Sequence, residues 1–182
     1  KARGLSDVWR KLVDPWLRDE APKAHRASSK VVPGPPQSPK EEAQIWERLN
    51  NLLERLPLTN SSRGSVKGPS VCAGMAANRL TAAPVITQWT KEQAAQVREV
   101  NYLLRSLPQW PPGFTWTSLQ LARNSVVHPH RDGNNLGPSV AVATGPFTGG
   151  ELVVDGCPLQ PRHRVTPFNG HLVHEVKPYD GL

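Results

Sequence analysis

Phe114-Thr-Trp-Thr-Ser-Leu-Gln-Leu-Ala122 alternates its side chains and is rich in aromatic and β-branched types, the pattern of a strand. Residues 140–144 and 151–154 read as further short strands, separated by turn-formers such as Asn134-Asn135-Leu136-Gly137-Pro138 and Thr148-Gly149-Gly150. Short strands with frequent turns predict a sandwich or jelly-roll barrel. Working outward, the preceding segment is helical. Ser38-Pro39-Lys40-Glu41 carries a Ser cap, a proline where no N–H is needed and a glutamate at the capping-box position. Ile45, Leu49, Leu52, Leu53 and Leu56 then repeat at helical spacing, so one stripe is buried. A second start is expected at Thr90-Lys91-Glu92-Gln93, with Ala94, Val97, Val100, Leu103, Leu104 and Leu107 on one face before Pro108. The fold class is α+β, with the helices packed on the outer face of one sheet.

The 182 residues allow one modest domain with an arm, and 37% hydrophobic content supports a core for only part of the chain. The 19 prolines cluster in stretches such as Val32-Pro33-Gly34-Pro35-Pro36, which read as linker. Three parts are therefore expected: a basic, Pro-rich arm over 1–37 with a short helix near Ser6 to Leu12, a helical segment over 38–71, and a β domain over 72–182. The chain begins with Lys1 and stops at Gly181-Leu182 inside a motif, so it reads as a fragment. Net charge is +7, and residues 1–70 hold 13 Lys/Arg against 8 Asp/Glu. A basic arm can track phosphate, although the interleaved acids make this a weak nucleic-acid footprint. No apolar run is long enough for a membrane helix and no secretory signal is present, which predicts an intracellular protein, nucleus and cytosol not being distinguished. Cys72 and Cys157 are too few for a disulfide scaffold and sit in no zinc pattern, so both are expected as buried free thiols.

Five of the six histidines lie between 128 and 174. In His128-Pro129-His130-Arg131-Asp132 an imidazole and a carboxylate stand two residues apart, so a strand end directs both to one side. A distant third ligand is then required, and His174 supplies it. Two histidines and one carboxylate on one face of a metal, with three positions open, is the arrangement of non-haem Fe(II) oxygenases. A closed zinc site is disfavoured because no thiolate completes it. HExxH, Walker A and GxSxG signatures are absent. The distal ligand has a rival, because His163-Arg-Val-Thr-Pro-Phe-Asn-Gly170 and His174-Glu-Val-Lys-Pro-Tyr-Asp-Gly181 share one pattern. His128 likewise competes with His130. The Asn134, Asn135, Gly137, Pro138 turn is placed to fix the Asp132 carboxylate, and Gly149-Gly150 to reverse the chain.

Taken in order, the blocks 114–124, 130–139, Phe147-Thr-Gly-Gly-Glu-Leu152, Phe168-Asn-Gly170, His174 and Pro178-Tyr-Asp-Gly181 resemble a 2-oxoglutarate/Fe(II)-dependent dioxygenase of the JBP/TET-like branch. The resemblance covers about residues 72–182. It implies a double-stranded β-helix, incomplete at the C-terminus, in which His130, Asp132 and His174 hold Fe(II). It also implies 2-oxoglutarate and O₂ as co-substrates, with oxidation coupled to decarboxylation to succinate. The branch suggests a nucleic-acid base as substrate, which would have to be flipped out to be reached, with a protein side chain or a small molecule as alternatives. The Arg that pairs with the far carboxylate of 2-oxoglutarate in such enzymes is expected beyond Leu182. The competing expectation is a non-catalytic β-barrel binding module or an inactive fragment of such an enzyme.

Overall fold

The computed structural model describes residues 38–77, 83–111, 113–133, 135 and 137–181. The expected arm over 1–37, its helix near Ser6, and Asn134 and Leu136 of the turn lie outside the described residues. In chain order the elements are α1 (Pro39–Arg55), β1 (Val66–Lys67), β2 (Ser70–Ala77), β3 (Pro84–Ile86), α2 (Gln88–Glu92), α3 (Ala94–Ser106), β4 (Ser118–Ala122), β5 (Val126–His130), β6 (Ser139–Ala141), β7 (Phe147–Gly149), β8 (Leu152–Val154), β9 (Cys157–Leu159), β10 (Thr166–Phe168), β11 (His174–Val176) and β12 (Tyr179–Gly181).

Helix α1 starts where the sequence places it. The Ser38 side chain accepts the Glu41 N–H at 3.3 Å, Glu41 and Glu42 occupy the positive first turn, and Arg55 the negative last turn. The second helix starts earlier than expected. Thr87, not Thr90, is its cap, and the helix breaks at Gln93 into α2 and α3. The cause is tertiary: Thr90 is buried and its hydroxyl accepts the Gly74 N–H at 2.7 Å, while the Thr87 hydroxyl donates to the Cys72 carbonyl at 2.9 Å.

Trp46 and Leu49 of α1 and Val97, Val100, Leu103 and Leu104 of α3 pack with Val71, Ala73 and Leu121 of β2 and β4 in one apolar cluster, which also takes in Val165. The helices thus cover the antiparallel sheet β3-β2-β4. Strand β4 is shorter than its sequence pattern. Phe114 and Trp116 instead stack with Trp110, ring centroids 5.5 and 4.8 Å away, and the Trp116 indole N–H donates to Asn101 Oδ1 at 2.7 Å.

The other strands form a five-stranded sheet β1-β5-β11-β8-β9 and the pairs β6-β10 and β7-β12. Every strand pairing is antiparallel, and among the described residues the sheets do not close into a barrel. Asp155 and Gly156, at φ 49° and 81°, join β8 to β9 with the positive dihedrals of a two-residue hairpin turn. Cys157 follows that turn on the sheet's outermost strand and is exposed, which corrects the expectation of a buried thiol. Cys72 is half-buried, and burial pushes its thiol pKa up. No helix among the described residues is long and apolar enough to cross a membrane.

Candidate metal centre

Strands β5 and β11 lie side by side, and their antiparallel register sets His130 directly opposite His174. The register shifts between His174 and Val176, a local irregularity next to the pair. The two imidazoles are 4.3 Å apart between centroids, and His174 is buried. Asp132 follows the end of β5, where its backbone N–H donates to the Gly170 carbonyl at 2.8 Å. That bond ties the His130-Arg131-Asp132 segment to the turn preceding β11. Arg131 adds a second tie, its guanidinium donating to the His171 carbonyl at 2.9 Å.

The Asp132 carboxylate faces both rings: Oδ1 is 3.8 Å from His130 Nε2 and Oδ2 is 3.8 Å from His174 Nε2. One ligand atom from each of the three residues lies within 4.8 Å of the others. On the far side of each ring, Nδ1 meets a backbone carbonyl two residues upstream, His128 O at 2.9 Å and Leu172 O at 3.0 Å. A carbonyl accepts only, so each Nδ1 carries a proton and each Nε2, turned toward the carboxylate, is the nitrogen left for a cation. Such a bond to the outer nitrogen is the usual way a metal-binding imidazole is oriented. Metal–nitrogen and metal–oxygen bonds of about 2.0–2.2 Å would bring adjacent ligands to roughly 3 Å, in from the 3.8 Å between Asp132 and each ring. The donor set therefore fits a divalent cation, and the His130-Asp132-His174 cluster could hold one.

The rivals stand elsewhere. His128 is exposed and contributes its carbonyl to the His130 ring. His163 adopts φ 50° in the loop before β10, tilts its ring against Trp46 with centroids 5.3 Å apart and sets its Nε2 3.5 Å from Thr144 Oγ1. Burial, with the Arg162 charge adding to it, lowers the His163 pKa against an opposing pull from Glu42.

Three further groups support the cluster. Asn135 Nδ2 donates to Asp132 Oδ2 at 3.3 Å and to Ser139 Oγ at 2.7 Å, and Phe168 sets its ring edgewise to His174 at 5.1 Å. Asn135 was expected in the turn that fixes the Asp132 carboxylate, whereas Ser139 and Phe168 stood in the resemblance blocks without a role at the site. Beside the cluster, Gly137, Pro138, Pro167, Phe168, Asn169 and His171 line an open cavity of about 490 Å³. No protein-family model matches the chain, and no curated protein or solved structure does either.

Proposed function

We propose that the chain is a 2-oxoglutarate- and Fe(II)-dependent oxygenase of the JBP/TET-like kind, its strands belonging to a double-stranded β-helix. The observation that carries the reading is the convergence of two imidazole Nε2 atoms and one carboxylate, with both outer nitrogens hydrogen-bonded to backbone carbonyls. Two imidazoles and one carboxylate suit a borderline divalent ion and leave half of an octahedron open. Fe(II) held there with 2-oxoglutarate would supply an oxidant from O₂, one oxygen atom going to succinate, formed with loss of CO₂, and the other to the substrate. The chain's own part is to hold the ligand atoms. The His128 and Leu172 carbonyls fix the imidazole tautomers, and the edge of Phe168 covers one side of the His174 ring. The oxidised substrate is left open: the resemblance suggests a nucleic-acid base, with which the basic balance of residues 1–70 is compatible, beside a protein side chain or a small molecule.

The test is Fe(II)-dependent release of succinate from 2-oxoglutarate. His130→Ala, Asp132→Ala and His174→Ala should each abolish it, while His163→Ala should retain it. Loss with His163→Ala equal to that with His174→Ala would overturn the ligand assignment. Separate short sheets that do not close favour a second reading, a non-catalytic module that holds a metal. Tight metal binding by the intact chain with no succinate formed under any condition would select it.

A further inference from the structure

We infer that Asn135 is the positioning residue for the Asp132 carboxylate: its amide engages Oδ2 and leaves Oδ1, which faces His130, to a metal ion. The inference rests on the metal-centre reading above. An amide nitrogen has two protons, and those of Asn135 are both spent, one on Asp132 Oδ2 at 3.3 Å and one on Ser139 Oγ at 2.7 Å. Ser139 begins β6, so the amide is anchored on a paired strand and not on the turn alone. The turn itself is closed by the Asn135 N–H on the Asp132 carbonyl at 3.4 Å.

Gly170 makes the packing possible. A Cβ there would stand 2.7 Å from Ser139 Oγ, 3.0 Å from Asn135 Nδ2 and 3.4 Å from Asp132 Cβ. Those three side chains therefore rest on bare backbone, and the same Gly170 accepts the Asp132 N–H. Asp132 is one-third exposed, so without the amide its carboxylate would turn freely in water or chelate a cation through both oxygens. Holding one oxygen limits Asp132 to a single bond and keeps three positions of an octahedral ion free for other ligands.

The experiment is a titration of the full 182-residue chain with Co(II) alone, followed by its visible absorption. The parent is compared with Asn135→Ala, Asn135→Leu, Ser139→Ala and Asp132→Ala, with a metal-free thermal melt for each. Asn135→Ala and Asn135→Leu should each weaken Co(II) about 10- to 100-fold, the usual effect of removing a partner of a metal ligand, and should alter the band intensities. Asn135→Leu keeps the branched shape and removes the donor without adding charge, so it separates orientation from packing and serves if the alanine variant does not fold. Ser139→Ala should weaken binding less. Binding by both Asn135 variants as tight as the parent's, with an unchanged spectrum, would overturn the inference while Asp132→Ala still lost the metal. A parent that binds no better than Asp132→Ala would overturn the metal centre itself, and the inference with it.

Discussion

The region of α1, α3, β2 and β4 and the region around β5, β8 and β11 are held together by different forces. In the first, Leu49, Val100 and Leu103 are each 1% exposed and stack into a continuous apolar cluster. In the second, the strands run two to five residues, and beyond Val66, Leu152 and Val154 the order comes from register and from bonds to backbone carbonyls. Burial of apolar area is non-directional and tolerates small shifts; a ligand triad depends on direction and does not. The molecule thus separates a part that supplies stability from a part that supplies aim.

The comparison is broken most severely from the core side. Leu103→Ala should cost about 2–5 kcal/mol in urea unfolding, because the cavity has no room to collapse among fully buried neighbours. Next in size is the metal itself. Saturating the intact chain with Co(II) at about a hundred times its dissociation constant should add about 2.7 kcal/mol. A chelator should remove that increment, and Asp132→Ala should lack it while its metal-free stability stays close to the parent's. Ser38→Ala sharpens the contrast on the helical side, with an expected loss of about 1 kcal/mol and no change in metal affinity.

The smallest effect concerns His163, which lies on the boundary between the regions against Trp46, with Arg162 and Glu42 as the facing charges. Its folded pKa lies below the ordinary 6.5, so the unfolded chain takes up the proton first as pH falls. Its contribution is complete above pH 6.5 and is lost as pH drops through the lowered folded value. His163→Gln should flatten the fall in melting temperature between pH 7.5 and 5.5; an unaltered slope would remove His163 from the account.

What was legible in the sequence follows the same division. The start of α1 could be read because Ser38, Pro39 and Glu41 act within one turn. The start at Thr87 could not, because Thr87 and Thr90 spend their hydroxyls on β2, a partner remote in sequence. The His130 and Asp132 pair was visible as a two-residue spacing. The choice of His174 over His163 rested on the Phe168-Asn-Gly170 block ahead of it, because both begin the same eight-residue pattern, and the pairing of β11 with β5 sets His174 opposite His130. The Asp155-Gly156 turn carried a clear hairpin signal that would have set Cys157 on an outer strand. Strand ends were overestimated at Phe114 and Trp116 because aromatic residues suit a pleated surface and a ring cluster equally.

The cross-strand pairing of His130 with His174 has a consequence for how the chain holds its shape. A cation bound to both would act as a reversible staple, closing the chain segment from 130 to 174 that contains β6 through β10. Closing a long segment removes more freedom from the unfolded chain than closing a short one, and a metal clip does so without a covalent bond. Occupancy would then raise the resistance of this whole segment to proteolysis.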